Sequence, residues 1–522
     1  MRARKRLLGL LGGPGRIRVV VLLACVLALE TADLATIGAA GPQLESAFHI
    51  SNAQLGLLAA ISTFVGAVAT VPMGALTDRV NRVRLLVVSV SLWAVAMLAC
   101  AGAQTYGWLL LARLGLGVVS ATAGPAIASL TGDFFPPAER GKIYGYILSG
   151  ELVGAGVGFV ISGSVAGALS WRAAFAVLIV PAAGLAIALW RRLPEPARGG
   201  PSRLEPGAER ILDAESADAQ LARPGADAPE RASGTARRAV EGRDVDAVPE
   251  RVLDQDPRAM GLPRAVRYVL RIPTNRWLIA ASAIGYFFFA GMRTFALVFI
   301  RGHLGVGQSA ATTVLFLAGV GAVAGVLSSG RLADWLIGRG RLNARILVGA
   351  ISYLVAPLLL APALLLSGLA AVVPLLFLGA AALAAPNPPL DAARLDIMPA
   401  GLWGRAEGVR TLLRQSAQAA APLLFGLIAD ALGGTGVAQS QQHVSPATGR
   451  ALEETFLIML VPLALSGLML LGARRRYGPD VATAIASERA LTSGPGDSPR
   501  PRPQPPRRRE SGSGAWPART AD

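Results

Sequence analysis

About twelve apolar runs, separated by short polar connections, constrain this chain more than any other feature. Each run has the roughly 20 residues that an α-helix needs to cross the hydrocarbon core of a bilayer. Of the 522 residues, 53% are hydrophobic and only 16% are charged, whereas a soluble domain carries roughly a quarter of its residues charged. The sequence therefore predicts an all-α membrane protein with twelve transmembrane helices. The runs are residues 19–40, 55–76, 85–104, 108–130, 143–165, 173–190, 277–300, 310–332, 346–367, 372–395, 409–432 and 455–471.

The polar segments divide the chain into five parts. Residues 191–275 are rich in Arg, Glu, Ala, Pro and Asp without a sustained apolar face, and such a stretch buries too little surface to offset its chain entropy. Within it, residues 262–272 have the pattern of a short basic amphipathic helix. The expected parts are a basic cytoplasmic N-terminus (1–18), an N-terminal six-helix bundle (19–190), a disordered cytoplasmic linker (191–275), a C-terminal six-helix bundle (276–473) and a disordered cytoplasmic tail (474–522).

The distribution of arginine predicts the orientation in the membrane. Lys and Arg next to a span stay on the cytoplasmic side. One set of connections holds nearly all of these residues, whereas the alternate set has only Arg172, Arg301 and Arg450. We therefore expect a multi-pass protein of the plasma membrane with both termini in the cytoplasm. The basic residues that give the net charge of +17 lie between the apolar runs. This placement indicates membrane lipids as partners and no nucleic acid.

The two halves of the sequence resemble each other at matching places. GALTD ends the second run at Asp78, and GRLAD ends the eighth at Asp334. Asp133 follows the fourth run as Asp396 follows the tenth. Matches at equivalent ends of equivalent runs indicate duplication, and hence two six-helix bundles that form a parallel repeat.

The stretch from Gly74 to Arg84, GALTDRVNRVR, resembles the cytoplasmic loop signature of the major facilitator superfamily. RLGLG from Arg113 resembles a second signature of that family, and AQLGLL from Ala53 is similar to its Spinster-like branch of lipid and organic-solute carriers. On the fifth run, Ala155 stands where the signature of drug/proton antiporters has proline, which argues against drug efflux. The resemblance implies the twelve-helix major facilitator fold and a secondary transporter.

The resemblance also implies a conformational lock at this loop and at its copy in the second half. A glycine lets another helix approach, an aspartate accepts hydrogen bonds from a helix N-terminus or pairs with an arginine, and arginines anchor to lipid phosphates. The alternative is a solvated loop that only sets topology. The candidate lock residues are Gly74, Asp78, Arg79, Arg82, Gly330 and Asp334.

Charged side chains inside the first-half runs are candidates for proton coupling, because each is costly in the membrane unless paired or hydrated. At about 1.5 Å per residue, Glu30 and Glu151 reach the middle of the bilayer, and Asp33 and Arg113 share a depth nearer the outside. We predict an Asp33–Arg113 ion pair, and Glu30 close to Glu151. The alternative is that these carboxyl groups are neutral, hydrogen-bonded structural acids.

In the second half, the candidates for substrate contact or ion pairing are Arg293, Asn387, Asp391 and Arg394. PNPP from Pro386 predicts a break in the tenth span, matched by Gly124-Pro125 in the fourth. Broken helices are where transporters place binding sites; the alternative is that the prolines only bend these helices. Pairs of glycines four apart, as at Gly154 and Gly321, indicate close helix packing.

Together these features predict a secondary carrier that moves a small organic solute by alternating access, coupled to protons. The chain has no nucleotide-binding loop and no cluster typical of a metal or catalytic site, so we expect no enzyme, no metal and no cofactor. Two alternatives stay open: a uniporter without proton coupling, and a transport-inactive receptor or scaffold of the same fold.

Overall fold

The computed structural model describes residues 13–77, 79–135, 140–196, 204, 235–243, 245–253, 260–399, 402–434 and 444–492. Within these ranges every regular element is a helix. The first half contains α1 (Pro14–Ala39), α2 (Gly41–Phe48), α3 (Asn52–Thr77), α4 (Arg82–Ala101), α5 (Tyr106–Ser120), α6 (Ala123–Phe134), α7 (Arg140–Ala168), α8 (Trp171–Ala176) and α9 (Ile179–Arg192).

The connection between the halves holds α10 (Thr235–Glu241), a 3₁₀ turn (Pro249–Arg251) and α11 (Leu262–Arg271). The second half contains α12 (Pro273–Leu304), α13 (Gln308–Gly338), α14 (Ala344–Leu365), α15 (Leu369–Ala384), α16 (Asn387–Asp396), α17 (Trp403–Ala431) and α18 (Pro446–Thr492).

Eleven helical segments of the described residues are long and apolar enough to cross a membrane, if α5 with α6, α8 with α9, and α15 with α16 are each taken as one span. The twelfth is α17, whose hydropathy is lowered by charges such as Arg410 and Arg414. The predicted all-α fold of twelve transmembrane helices is therefore confirmed.

Two spans are interrupted where the proline pattern predicts. The fourth span breaks between α5 and α6, and Pro125 lacks the N–H that would bond to the Ala121 carbonyl one turn earlier. The tenth span breaks between Ala384 and Asn387, because Pro388 and Pro389 likewise cannot bond to the preceding turn. The breaks are therefore equivalent in the two halves.

Close contact between helices explains the glycine pairs. A Cβ atom added to Gly154 of α7 would lie 2.1 Å from the carbonyl oxygen of Ala28 on α1. One added to Gly321 of α13 would lie 2.2 Å from the carbonyl oxygen of Phe377 on α15. Backbones approach this closely only where no side chain intervenes, so the predicted role of these glycines is confirmed.

The structure differs from the expected disorder in the linker (191–275) and in the tail (474–522). Helix α11 forms as its amphipathic pattern predicts, and α18 continues to Thr492. The linker docks on this extension: the Val248 N–H donates to the Thr483 hydroxyl at 2.9 Å, and Arg251 pairs with Asp480 at 2.9 Å. These segments bury apolar side chains against each other, which their average composition does not reveal. Of these two segments, residues 197–203, 205–234, 244, 254–259 and 493–522 lie outside the described residues.

Candidate functional site

An ion pair predicted from sequence lies inside the first bundle. Arg113 of α5 donates from Nη1 to Oδ1 of Asp33 on α1 at 2.5 Å, and from Nη2 to the Ser62 hydroxyl of α3 at 2.9 Å. Asp33 is 3% exposed and Arg113 is fully buried. The predicted ion pair is confirmed, and it joins three helices at membrane depth.

Glu30 lies one helical turn before Asp33 and within electrostatic range of Glu151. The two carboxyl groups come together because α1 and α7 are in backbone contact: the Thr31 hydroxyl donates to the Glu151 carbonyl oxygen at 2.9 Å. Both side chains are partly exposed. The predicted proximity of these two carboxyl groups is therefore present.

Two arginines of the second bundle face these acids. Arg293 of α12 is within electrostatic range of Asp33 and Glu151, and Arg414 of α17 is within range of Glu30 and Glu151. Neither Nε atom has a hydrogen-bond partner among the residues the structure describes. The Arg414 guanidinium also lies 4.9 Å from the centre of the Tyr286 ring. We call these two arginines, with Glu30, Asp33, Arg113 and Glu151, the central cluster.

Arg414 is a site residue that our sequence reasoning missed. It lies in the predicted run 409–432, so the depth rule that selected Arg293 would have selected it as well.

The other second-half candidates are arranged differently. Asp391 accepts hydrogen bonds from Arg394 and from Arg410, the latter at 3.2 Å. This network ties α16 to α17 within the second bundle, so Asp391 and Arg394 already neutralise each other. Asn387, at the first residue of α16, is half-buried.

In the predicted lock loop, Arg82 is buried within the protein. This side chain is only 1% exposed and donates to Asp133, to Glu195 at 2.7 Å, to the Ser129 hydroxyl at 3.0 Å and to the Pro196 carbonyl at 2.8 Å. An arginine so enclosed cannot anchor to lipid phosphates, which corrects that expectation. Arg79 is exposed, and Asp78 lies outside the described residues.

The second bundle repeats this arrangement. Arg345 pairs with Asp396, and with Asp334 at 3.2 Å, while the Tyr477 hydroxyl donates to Asp396 at 2.6 Å. Arg345 and Asp396 each lie 263 positions after Arg82 and Asp133. Gly330 faces Pro388 as Gly74 faces Pro125. The contacts support the predicted duplication, and each stays within one bundle.

The two bundles meet at the opposite end of the molecule. We call the end with Arg82 and Arg345 the linker end and the other, where α3 begins, the sealed end. At the sealed end Asp430 of α17 accepts hydrogen bonds from the backbone N–H groups of Asn52 and Ala53 at 3.1 and 2.9 Å. Gln308 of α13 donates to the Ala39 and Gly163 carbonyl oxygens at 3.0 and 3.3 Å. Hydrogen bonds that join described residues of the two bundles thus lie at this end.

The sequence from residue 23 to residue 422 matches the model of the Major Facilitator Superfamily. The chain belongs to the Major Facilitator Superfamily. This match covers the first bundle from residue 23, the connection between the bundles, and the second bundle as far as residue 422 within α17.

Curated relatives and solved structures agree with this assignment. The gallate transporter of Pseudomonas putida is 27% identical over 192 residues, which cover 37% of this chain and 42% of that protein. The hexuronate transporter of Bacillus subtilis is 24% identical over 165 residues, 32% of this chain and 39% of that protein. A bacterial homologue of the human lysosomal transporter Spinster, in an inward-facing and unoccupied conformation, has a TM-score of 0.70 at 20% identity and covers 90% of this chain and 98% of that structure.

The matched segments span less than half the length of these curated relatives. The family match and the apolar helices together identify the chain as a multi-pass integral membrane protein of the Major Facilitator Superfamily.

Proposed function

We propose that this transporter moves a small organic anion, with a carboxylate as the recognised group, together with protons. The observation that carries this proposal is the placement of Arg293 and Arg414 opposite Glu30 and Glu151, with both arginine Nε atoms lacking an acceptor among described residues. A planar guanidinium matches a carboxylate better than any other side chain. Two such groups facing the same space make an anion-binding site.

The charges of the central cluster link anion binding to proton binding. Asp33 and Arg113 neutralise each other, which leaves two arginines and the carboxyl groups of Glu30 and Glu151. When both carboxyl groups carry protons, the arginines are uncompensated and bind an anion. When the protons leave, the carboxylates compete for the arginines and the anion is released. Anion and protons therefore travel in the same direction.

The names of two relatives support this substrate class. Gallate and hexuronate are both carboxylates, one aromatic and one a sugar acid. The sequence coverage is partial, so we extend only the carboxylate to this chain.

The arginine asymmetry supports an orientation with the linker end in the cytoplasm of the cell and both termini on that side. With that orientation, the sealed end faces outward, and the described conformation is closed on that side. Alternation between this state and one closed at the linker end would carry the substrate across the plasma membrane.

The test of substrate class is uptake into proteoliposomes of a panel of radiolabelled aromatic and sugar carboxylates, beside their neutral amides. We expect Arg293→Gln and Arg414→Gln to reduce carboxylate uptake by about 10- to 100-fold, because a hydrogen bond to a charged group contributes about 1.5–3 kcal/mol. Arg267→Gln, an exposed arginine of α11, is the matched control. Uptake of the amides at the rate of the acids would contradict the proposal.

The test of proton coupling separates accumulation from exchange. If Glu30, Asp33 or Glu151 exchanges a proton during the cycle, neutralising that residue as Gln or Asn should abolish uphill uptake driven by a pH gradient. Exchange of labelled for unlabelled substrate should persist, because exchange needs no net proton movement. Full pH-driven accumulation in all three variants would favour the uniporter. Absence of any flux in the wild type would favour the receptor or scaffold.

A further inference from the structure

A second carboxyl group is buried at the sealed end, outside the central cluster. Glu45 lies on the short helix α2, between α1 and α3, and has no exposed surface. Neither of its side-chain oxygens has a hydrogen-bond partner among the described residues. An ionised carboxylate in such a place is costly, and the neutral acid is much less so.

The groups that face Glu45 come from two helices of the other bundle. Asp430 of α17 and Arg301 of α12 both interact with it electrostatically. Asp430 accepts hydrogen bonds from three donors of the α3 N-terminus, namely the two backbone groups described above and the Asn52 amide at 2.9 Å. Arg301 donates to the Gln308 side chain at 3.1 Å. A charged Glu45 would therefore stand beside a second carboxylate.

We propose that Glu45 is a proton-binding site of the sealed end: the two bundles close there when Glu45 is protonated, and loss of that proton opens this end. The contact between Asp430 and α3 supplies the attraction across the gap. When Glu45 is ionised, its negative charge beside Asp430 opposes that contact; when Glu45 is protonated, this repulsion is absent.

The sign of the pH dependence follows from burial. Burial raises the pKa of Glu45 well above its ordinary value, the Asp430 carboxylate raises the pKa further, and Arg301 offsets part of this increase. When the bundles separate, water reaches the carboxyl group and its pKa returns toward the ordinary value. Closing therefore takes up one proton, and the ratio of sealed to open molecules falls by about tenfold per pH unit between the two pKa values.

The experiment measures the distance across the sealed end without substrate. Spin labels are placed on cysteines at Gln104 and Gly368, both exposed, one in each bundle, in a chain whose Cys25 and Cys100 are replaced by alanine. The protein is held in nanodiscs of uncharged lipid from about pH 4 to about pH 9, a range that brackets carboxyl groups with normal and raised pKa values. We expect the longer, open distance to gain population as pH rises.

The decisive variant is Glu45→Gln, which copies the protonated acid and should stay sealed over the whole range. Glu454→Gln removes an exposed carboxyl group of α18 and should keep the wild-type profile. The same series in a His303→Gln background removes another titratable contact of this end, the His303–Glu453 pair at 3.0 Å. A wild-type pH profile in Glu45→Gln would overturn the proposal.

Two further variants guard against misfolding and misassignment. Glu45→Asp keeps a titratable group and should keep a pH-dependent distance, so it tests the same claim if the glutamine variant does not fold. Asp430→Asn weakens the attraction and should populate the open distance at every pH. A sealed distance that is insensitive to pH in both wild type and Glu45→Asp would also refute the proposal. Neither transport nor an anion enters the measurement, so its outcome is separate from that of the proposed function.

Discussion

The buried arginines of this protein fall into two groups. Arg82, Arg113 and Arg345 each reach at least one carboxylate and further hydrogen-bond acceptors. Arg293 and Arg414 instead lie near acids without an acceptor at Nε among the residues described. Burying a charge is tolerated when its partner is buried with it, and removal of one member leaves the other uncompensated. The first group therefore stabilises the bundles, and the second belongs to the anion-binding site that we propose.

The Arg82 network gives a prediction for stability. Arg82→Gln should lower the free energy of unfolding by about 3–5 kcal/mol, because Asp133 and Glu195 then lose their shared cation. Arg79→Gln, an exposed neighbour at the same loop, should change the free energy of unfolding by less than about 0.5 kcal/mol. Denaturant unfolding in detergent measures both. Equal stability of the two variants would mean that the Arg82 network contributes little.

At the scale of helices, packing depends on glycines that let backbones meet. Gly150, Gly154 and Gly158 of α7 face α1 along one stripe, with backbone atoms of Ala24, Ala28 and Ala32 opposite. This contact places Glu151 next to Glu30, so the acids of the central cluster are held by packing that involves no charge. A small residue at every fourth position is how membrane helices approach closely.

Helix α7 offers a matched pair of glycines. Gly154→Ala should destabilise the protein by about 1–3 kcal/mol, because the new methyl group would overlap the Ala28 backbone and push α1 away. Gly156→Ala, two residues later, meets nothing within 4 Å and should be neutral or slightly stabilising. Thermal unfolding of the purified variants compares them. A Gly154→Ala protein as stable as the wild type would show that α1 and α7 tolerate separation.

At the scale of the whole molecule, each bundle carries its own buried ion pairs at the linker end, while the two bundles meet at the sealed end. Interactions within a bundle persist when the bundles rock against each other, whereas those between bundles must break. The sealed end is therefore where the conformational equilibrium is set in the described state.

A substitution at the contact between α3 and α17 should shift the equilibrium between the sealed and open conformations. A Cβ added to Gly56 would lie 2.2 Å from the Pro422 carbonyl oxygen of the other bundle. Gly56→Ala should favour the open distance between labels at Gln104 and Gly368 without lowering the stability of either bundle. Gly115 of α5 has nothing within 4 Å of an added Cβ, so Gly115→Ala should leave that distance unchanged. The opposite result, a sealed Gly56→Ala protein, would show that α3 and α17 can shift without opening the end.

The orientation gives the last prediction. Reporter fusions after Gln104 and Gly368 should report the outside, and fusions after Arg84 or within residues 210–243 should report the inside. A linker reporter on the outside would reverse the direction that we propose for the sealed and linker ends.

The sequence by itself determined the number of spans, the duplication, the breaks at the prolines and the Asp33–Arg113 ion pair. These features depend on local rules: the bilayer sets the length of a helix, proline removes a particular hydrogen bond, and residues at the same depth in neighbouring helices can meet.

Only the tertiary structure decided which partners the other charges take. Arg82 could reach lipid or protein, the linker could stay disordered or dock on α18, and Glu45 could face water or Asp430. A sequence states the depth of a residue but not the rotation of its helix or the tilt between bundles. Partners contributed by distant segments depend on those two quantities, which are set when the helices pack against each other.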